Sequence, residues 1–548
     1  MLVEISCSKF VDQGIPRGTI SFKPGLNAVL GAERANNSIG KTTFLLVIDF
    51  CFGGSSYATI NGDIKENVGE HVIKFAHSFF GTTHYFSRSF RDYKSVCVCN
   101  KRYEPIKTVP LKEFNAWLQE QCELPSEDAT FRDLFHGFAR IYGLNNDDEK
   151  LPLKANEGDS AEKGILRLLK LYGLYPEISA LEKNLAEAED DKKVFYAAMR
   201  HQLVMPAANK KDYQQNAKKA LALRGEKAEL AARDHDNLVD LEPLVAERVA
   251  LLKKTLANLR RRKTRLKRTL ESIEDERSFG SYKQGRDFED FRRLFPEADI
   301  RSIEEIEGFH KKLSGLLEKE RKESASVAQL QIRALEEEIS ALEEEVKKAG
   351  VVSNLSAAVL DAYAALDKEI AQLESANDLY DKKTALDEKV KERRDLLGSR
   401  KLLLLGTMQT QINAALATSN SEVCGAEKTA PVLSLEGPKR YTFGIANDHG
   451  TGSLTRAMFL FDFAVLEQTN LPAIIHDSHL IKQVEDDSVV SLLEMYDRTK
   501  KQVFVAIDKG HSYSSEGMPA VLENSVILRL DRHHELFGRA WNEKPEEE

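Results

Sequence analysis

The chain has 548 residues, which is too long for one compact core and corresponds to about three to four domains. Lys and Arg number 78 against 87 Asp and Glu, and the net charge of -9 argues against a continuous basic coat for nucleic acid, although a local basic patch is compatible with it. The 42% of apolar residues, with only 15 Pro, argues against a disordered polymer and an all-β protein, and predicts a chain rich in helix.

The sequence predicts neither a membrane-spanning segment nor disulfide bonds. No apolar run approaches the roughly 20 residues that span a bilayer, and the segment 1–4 lacks the basic region of a signal peptide, so we expect a cytoplasmic protein with no membrane partner. No C-x-x-C pair occurs, so neither a disulfide framework nor a zinc ribbon is predicted, and we expect reduced, mostly buried thiols. The cysteines are Cys7, Cys51, Cys97, Cys99, Cys122 and Cys424.

The first segment, residues 1–172, has mixed α/β composition, with β-like runs at 25–30 and 77–90. Gly40-Lys41-Thr42-Thr43 follows the first of these runs and opens an apolar stretch that predicts a buried helix. This is the strand, loop and helix order of a phosphate-binding P-loop, in which backbone N–H groups hold phosphate, the lysine binds the β and γ phosphates, and the threonine hydroxyl coordinates Mg²⁺.

The loop departs from the usual P-loop spacing, because Ala35 stands where the first glycine is expected and the nearest earlier glycine is Gly31. We expect a longer loop in which asparagine and serine turn the backbone as glycine usually does. The residues predicted to contact nucleotide are Asn37, Ser38, Ile39, Gly40, Lys41, Thr42 and Thr43.

Residues 173–405 form a second segment, which is rich in Ala, Leu, Glu, Lys and Arg and predicts a coiled coil. Its clearest heptad seam is Val249, Leu252, Leu256, Leu259, Lys263, Leu266, Leu270 and Ile273, and an ordinary long helical bundle is the alternative. Glycine, proline and clustered aromatics at 278–300 predict an apex, so that the two arms fold back as an antiparallel hairpin. Pro206, Pro243 and the stretch 350–354 are expected to interrupt the arms.

One stretch of the ascending arm is strongly basic and consists of Arg260, Arg261, Arg262, Lys263, Arg265, Lys267 and Arg268. If the arms mirror about 278–300, the facing stretch is 310–322, which is itself largely basic, while the acidic runs 336–338 and 343–345 lie further from the apex. The basic run is then left without neutralising partners and could bind DNA phosphate or an acidic partner. A solvated face of a coil is the alternative.

Mixed α/β composition returns in the third segment, residues 406–548, with apolar strands predicted at 471–475, 503–507 and 526–528. The first of these strands leads to Asp477, an acidic residue of the kind that holds Mg²⁺ opposite a P-loop. Upstream, a small-residue loop with Gly450, Gly452 and Ser453 precedes an apolar helix and predicts a second phosphate cradle.

The order of these motifs resembles the SMC-type ABC ATPases, whose relatives act in chromosome maintenance and double-strand-break repair. More narrowly, the stretches 37–43, 52–54, 449–453 and 475–478 are similar to the ATPase component of bacterial three-component ABC systems of anti-phage and anti-plasmid defence. The resemblance implies a P-loop ABC-type head built from the N- and C-terminal lobes, with a long antiparallel coiled-coil arm inserted between them.

By this resemblance Gly40, Lys41 and Thr42 form Walker A, and Asp477 is the Walker B carboxylate. Lys41 and Asp477 would serve catalysis, and Thr42 and Asp477 would bind the metal. Gly450, Gly452 and Ser453 would form the signature loop that caps the nucleotide of a second head. The implied cofactors are ATP and Mg²⁺, and the implied partners are a second copy of the chain, accessory or effector subunits and DNA.

The resemblance is incomplete at the residues that support hydrolysis. Ser478 stands where the family has its catalytic Glu, and it cannot act as a carboxylate base, so hydrolysis is expected to be slow or to use His479, Glu485 or a residue from elsewhere. Asp508, with His511 nearby, stands at the position of the usual switch histidine. A nucleotide-binding scaffold that does not hydrolyse ATP and recruits an effector is therefore an alternative, and a coiled-coil tether without nucleotide is a weaker one.

Two histidine clusters invite other interpretations. A mononuclear zinc site at His476, Asp477 and His479 is not favoured, since neighbouring strand residues point to opposite faces. Nuclease chemistry at His533 and His534 is not favoured either, because no carboxylate cluster accompanies the pair. The absence of a cysteine pair near 278–300 excludes a zinc-hook dimer.

Overall fold

The computed structural model describes residues 1–31, 40–60, 62–126, 129–199, 205–235, 243–279, 325–346, 357–508, 510–513 and 518–539. The chain divides into two compact units, of which the first combines Met1–Ala198 with Ala385–Glu548 and the second is Met199–Thr384. Helical residues at 175–198 and 385–405, which are predicted to lie in the coiled coil, thus belong to the first unit. Within the described residues no helix is long and apolar enough to cross a membrane.

The first unit is organised around a five-stranded sheet, here called the central sheet, in which all pairings are parallel. Its longest strands are buried along their whole length, which explains their continuous apolar sequences. Two of its strands come from the first segment of the sequence and three from the third, so neither segment can complete the sheet alone. Their order is Ala139–Arg140, Ala473–His476, Gln502–Ile507, Gly25–Leu30 and Val526–Arg529.

A second, antiparallel sheet is built entirely from the first segment and contains the predicted hairpin, as Val72–Phe79 and Thr82–Ser89. Its six strands, in spatial order, are Thr19–Ser21, Leu2–Ser6, Val72–Phe79, Thr82–Ser89, Ser95–Cys99 and Pro105–Pro110. Two short ribbons pair Val11–Asp12 with Ile15–Pro16 and Val432–Gly437 with Arg440–Gly444.

The helix Lys41–Cys51 is buried on nearly every side, as its apolar sequence predicts. Phe44 packs edge-on against Phe10 and stacks on Phe22, which in turn contacts Phe504 of the central sheet. These aromatic contacts fix the helix in the core, so the position of its N-terminus is set by packing as well as by the preceding strand.

Short helices and two longer ones complete the first unit. They are Ser56–Thr59, Gly62–Asn67, Leu111–Gln121, Phe131–Phe135, Ala161–Leu171, Tyr175–Met199, Thr451–Gln468, Ser478–Ile481, Asp486–Asp497 and Ala520–Glu523. The 68-residue helix Ala357–Cys424 contributes residues to both units. The six cysteines are free thiols, and Cys7, Cys51 and Cys99 are buried.

In the second unit the helices Lys210–His235 and Pro243–Phe279 pair with helical residues at 325–346 and with the first part of Ala357–Cys424. The pairing is antiparallel, because the partner's number falls as the chain ascends: Arg224 bonds Glu374 at 2.5 Å and Arg260 bonds Glu343 at 2.6 Å. The heptad residues Leu256 and Leu335 are buried, as a shared seam requires.

The prediction that the basic run faces another basic stretch is wrong. Lys263 lies 2.8 Å and Lys267 3.9 Å from Glu336, and Arg260 bonds Glu343, so the run faces the two acidic stretches and not 310–322. The midpoints of these pairs lie near residue 300, beyond the middle of the predicted apex, and this offset of about ten residues changes the facing charges. Residues 280–324, with most of the apex, lie outside the described residues.

Two of the three predicted interruptions of the coiled-coil arms lie within the described residues. Pro206 lies between the helices that end at Met199 and begin at Lys210, as expected. Pro243 is the first residue of its helix, where a missing backbone N–H costs no hydrogen bond. The stretch 350–354 lies outside the described residues.

A buried ionic network fastens the central sheet to the helices that cover it. Arg140, on the edge strand, donates to both carboxylate oxygens of Asp462 at 2.5 and 2.6 Å. His476 Nε2 lies 3.1 Å from the same carboxylate, and the Tyr496 hydroxyl lies 3.0 Å from His476 Nδ1. All four side chains are fully buried. Both ring nitrogens of His476 are engaged, so this histidine has no nitrogen to offer to a metal.

We predict that Asp462→Ala destabilises the first unit by about 3–5 kcal/mol, because it leaves the Arg140 guanidinium buried and without its carboxylate. Chemical unfolding followed by tryptophan fluorescence measures the change. Asp191→Asn is the matched control, since it removes a carboxylate from an exposed ion pair with Lys389 and is expected to change stability by less than about 1 kcal/mol. Equal losses in the two variants would contradict the assignment of Asp462 as a structural anchor.

Candidate functional site

The carboxyl ends of four adjacent strands meet at one edge of the central sheet. Gly31 follows the strand Gly25–Leu30, Asp508 follows Gln502–Ile507, and Asp477 follows Ala473–His476. Tyr142 lies two residues beyond the edge strand Ala139–Arg140 and donates its backbone N–H to Asp477. In open sheets with parallel strands, ligands bind at this edge.

Two glycines shape the approach to the helix Lys41–Cys51. Gly40 caps the helix with a φ of 97°, and a Cβ there would lie 2.6 Å from Cβ of Leu536. A Cβ on Gly31 would lie 2.7 Å from Oδ1 of Asp508 and 3.0 Å from Nζ of Lys41. Gly40 therefore requires glycine, whereas a side chain at Gly31 would displace the ends of the Lys41 and Asp508 side chains. The predicted contacts Asn37, Ser38 and Ile39 lie outside the described residues.

Lys41 and Thr42 begin this helix, and each meets a carboxylate from the third segment. The Thr42 hydroxyl donates to Oδ2 of Asp477 at 2.9 Å, although 435 residues separate the two. Lys41 Nζ lies 2.6 Å from Oδ1 of Asp508, and both partners are buried. Thr43, the next predicted contact, is buried in the same helix turn. The structure thus brings together Gly40, Lys41, Thr42 and Asp477.

Asp477 is ionised in this environment. Burial raises its pKa, but hydrogen bonds from Thr42 and from the Tyr142 backbone and the neighbouring His479 lower it below the usual value. The backbone N–H of Ser478 also donates to its Oδ1 at 2.7 Å. A hydroxyl and an ionised carboxylate side by side are hard oxygen ligands, which is the donor set that Mg²⁺ takes in nucleotide sites. The residues present therefore fit Mg²⁺.

His479 is held between two carboxylates. Its Nε2 lies 2.9 Å from Asp147, and its Nδ1 lies 3.8 Å from Asp477. Burial lowers the pKa of the imidazole, but the two carboxylates outweigh this and raise it to about 9. At neutral pH His479 is consequently a cation, so it does not have the free nitrogen that a general base needs. The other substitute considered from sequence, Glu485, lies instead beside Arg456 at 3.6 Å.

Ser478 and Asp508 occupy the two positions where the sequence departs from the ABC pattern. The Ser478 hydroxyl lies 3.4 Å from Oδ1 of Asp477, so it supports that carboxylate. Asp508 accepts from Lys41 and, through its other oxygen, from Lys482 at 2.5 Å. Burial raises the pKa of Asp508, but the two lysines hold it below its usual value. His511 lies in the short 3₁₀ helix Gly510–Tyr513.

The glycine-serine loop begins the helix Thr451–Gln468, with Gly450 as its N-cap. The Gly450 backbone N–H donates to Asp448 at 3.0 Å, and a Cβ on Gly452 would lie 2.3 Å from the carbonyl oxygen of Gln483. Gly452 is therefore required for the close contact between this turn and the chain that follows Asp477. Ser453 is half-buried at the start of the helix.

The remaining predicted residues lie elsewhere. The basic run 260–268 belongs to the second unit. His534 is engaged at both ring nitrogens, with Asp12 at 2.6 Å and Gln13 at 3.3 Å, and among the described residues no group of three or more His, Cys, Asp and Glu is placed to hold a metal ion.

Three site residues were not found from sequence: Tyr142, Asp147 and Lys482. Tyr142 contributes its backbone N–H, a group that nearly every residue type has, so the sequence gives no signal for it. Asp147 stands in an acidic loop with no motif, and Lys482 is an ordinary lysine five residues after Asp477. Their roles depend on which strand ends are adjacent.

Comparison with known proteins gives a partial match. Residues 414–541 match a family described as an uncharacterised protein conserved in bacteria, DUF2326, and this range includes the glycine-serine loop, Asp477 and Asp508. No curated protein matches.

Among solved structures, the chain is similar to SMC head domains that carry coiled coil. One is the Smc head domain with a coiled coil and joint from Pyrococcus yayanosii, at 15% identity and a TM-score of 0.46, with 98% of this chain and 96% of that chain covered. Another is the Smc head domain with an extended coiled coil bound to the C-terminal domain of ScpA, from Pyrococcus furiosus, at 12% identity and a TM-score of 0.35, covering 98% and 94%. A third, SmcHead bound to the C-winged helix domain of ScpA, has 9% identity and a TM-score of 0.35 and covers 96% and 91%.

We predict that Gly452→Ala destabilises the first unit by about 1–3 kcal/mol, because the new methyl group overlaps a backbone carbonyl that cannot move freely. Thermal unfolding of the purified chain measures the change. Gly406→Ala is the control, since this exposed helical glycine has open space around its Cβ position, and alanine there is expected to raise stability by up to about 1 kcal/mol. A Gly452 variant as stable as the Gly406 variant would show that the contact with Gln483 is not tight.

Proposed function

We propose that the chain is an SMC-like ABC ATPase that binds ATP and Mg²⁺ between two copies of its head. The observation that carries this proposal is the hydrogen bond between Thr42 and Asp477, at the N-terminus of the helix that also presents Lys41. A helix N-terminus, a lysine, a hydroxyl and an ionised carboxylate are the parts that a nucleoside triphosphate with Mg²⁺ needs.

Each residue then has a role that follows from its chemistry. Gly40 and the first N–H groups of the helix bind phosphate oxygens, and Lys41 supplies a compact cation for the β and γ phosphates. Thr42 and Asp477 hold Mg²⁺, which neutralises phosphate charge when bound. Asp477 is kept ionised by its hydrogen bonds, so it can serve as this ligand at neutral pH.

The glycine-serine loop belongs to the second head in this proposal. Gly450, Gly452 and Ser453 open an 18-residue helix whose first N–H groups are free of intrahelical partners by geometry, as in any helix. They would cap the γ phosphate of the nucleotide held by the other copy, so ATP would join two heads into a homodimer. This assignment is supported by the resemblance to ABC signature loops and by the need for glycine at Gly452.

For the cellular role of the chain, we propose that it acts as a cytoplasmic DNA sensor or clamp within a multi-subunit bacterial complex for defence or genome maintenance. The motif resemblance supports this role. In the second unit, at least three of the seven cations in the basic run face acidic residues, which reduces the charge available to DNA. Arg261, Arg262 and Arg268 are exposed, and they are the side chains through which DNA phosphate would be bound.

A second candidate function is a nucleotide-binding scaffold that does not turn over ATP and recruits an effector through its coiled coil. The specific observation in its favour is that the Ser478 hydroxyl hydrogen-bonds Asp477 and that His479 lies between the carboxylates of Asp147 and Asp477. These carboxylates raise the pKa of His479 to about 9, so neither side chain presents a base to an attacking water. The two candidates share the nucleotide site and differ in the rate of phosphate release.

We predict that Lys41→Ala weakens ATP binding by about 100-fold or more, because charge-assisted hydrogen bonds to two phosphates are lost. Asp477→Asn should weaken ATP binding in the presence of Mg²⁺ and leave the weaker, metal-free binding unchanged. Titration calorimetry with and without Mg²⁺ measures both effects. A wild-type chain that binds no ATP would overturn the proposal.

Turnover then separates the two candidates. Steady phosphate release by the wild type that Asp477→Asn abolishes excludes the scaffold, whereas binding without measurable release excludes the ATPase. Asp191→Asn is the matched control for both measurements, because it makes the same chemical change in an exposed ion pair away from the site.

For the DNA role, we predict that replacing Arg261, Arg262 and Arg268 by alanine weakens binding of duplex DNA and lowers the slope of log affinity against log salt by up to about 3. Fluorescence anisotropy at several salt concentrations measures the slope. The control variant removes three cations that are ion-paired within the same unit, Lys219, Arg224 and Lys227. Equal slopes for the two variants, or no binding at low salt, would remove DNA as the ligand of this run.

A further inference from the structure

Asp508 is shared by two lysines from different parts of the chain. Its Oδ1 lies 2.6 Å from Nζ of Lys41, and its Oδ2 lies 2.5 Å from Nζ of Lys482. Lys41 begins the helix after the phosphate loop, whereas Lys482 follows directly after the short helix Ser478–Ile481 that Asp477 caps. The carboxylate thus joins the two elements that would hold the nucleotide.

The charges of this trio do not balance. Lys41 and Asp508 are both buried and neutralise each other, so the buried carboxylate already has its counter-ion. Lys482 adds a second positive charge, and its side chain is 43% exposed. Because Asp508 already has a buried counter-ion in Lys41 and the Lys482 side chain is largely solvated, Lys482 is not needed to neutralise the buried carboxylate. The net charge of the trio is positive, at the edge of the sheet where an anionic ligand would bind.

Geometry places both ammonium groups around one anion-sized space. Since the two nitrogens bond the two oxygens of a single carboxylate, their separation is limited to the width of that group and two hydrogen bonds. A phosphoryl group has more acceptor oxygens than a carboxylate and can accept from both ammonium groups in its place. The position of a Cβ on Gly31 lies 2.7 Å from Asp508 and 3.0 Å from Lys41, so these two side chains pack against the residue that follows the strand Gly25–Leu30.

We propose that Lys482 is a second cation for the terminal phosphate of the nucleotide, and that Asp508 is the counter-ion that holds Lys41 and Lys482 until phosphate replaces it. This inference rests on the proposed nucleotide site and adds to it a ligand from the same head. Asp508 has no proton to donate at neutral pH, so it cannot itself bind phosphate as a histidine at this position could. Lys482 supplies the donor that Asp508 lacks.

The proposal predicts different effects on ATP and ADP binding, because only ATP has a γ phosphate. We expect Lys482→Met, which keeps the length of the side chain, to weaken ATP binding by about 10- to 100-fold and ADP binding by less than about 3-fold. Lys482→Arg should restore most of the preference for ATP. Asp508→Asn should tighten ATP binding by about 3-fold or more, because it removes the negative charge that competes for both lysines.

Calorimetric titration of the full-length chain with ATP and with ADP, both with Mg²⁺, measures these ratios. Lys500→Met is the matched control, since Lys500 is an exposed lysine near the opposite end of the strand that leads to Asp508, and its loss should leave both affinities unchanged. If Lys482→Met weakens ATP and ADP equally or neither, Lys482 is a structural partner of Asp508 and the inference is overturned. If the wild type binds neither nucleotide, the proposed function is overturned together with it.

Discussion

The parallel pairing of Gly25–Leu30 with Gln502–Ile507 is the constraint on which the first unit depends. Six consecutive residue pairs join the two strands, from Gln502 opposite Gly25 to Ile507 opposite Leu30. Because both strands are fully buried, a slip of one residue would place every side chain on the opposite face. This register sets Gly31 and Asp508 side by side, as the hydrogen bond from the Gly31 N–H to the Ile507 carbonyl oxygen shows. The ends of the chain therefore form the candidate site only as one folded unit.

Electrostatics at this edge follows from the same arrangement. Strand ends gather two buried carboxylates, Asp477 and Asp508, and each is kept ionised by donors from other elements. One residue before Asp477, His476 belongs to the buried network of Arg140 and Asp462, which reaches the helix that the glycine-serine loop begins. The buried network and the charged edge of the sheet are thus linked by two consecutive residues, His476 at the end of the strand and Asp477 directly after it. A shift of that strand would move both Asp477 and the helix Thr451–Gln468.

The second unit shows how sensitive a charge-based prediction is to helix register. Heptad spacing correctly indicated which face of Pro243–Phe279 is covered, since Leu256 is buried there. It carried no information on which residue of the opposite helix lies across from Arg260. That pairing depends on where the chain reverses, and a reversal displaced by about ten residues exchanges a basic neighbour for Glu343. The nucleic-acid hypothesis consequently rests on fewer side chains than the sequence suggested.

Local patterns by themselves determined the buried strands, the helix after Gly40, the small-residue turn before Thr451–Gln468 and the acidic residue at the end of a strand. These features are readable because burial imposes a period on neighbouring residues and because glycine and charge have strict local requirements. Only the tertiary structure decided that Thr42 meets Asp477, that Asp508 is shared by Lys41 and Lys482, and that His479 lies against Asp147. Those contacts join residues hundreds of positions apart, and their energies depend on strand order, register and burial, for which no local spacing is a signal.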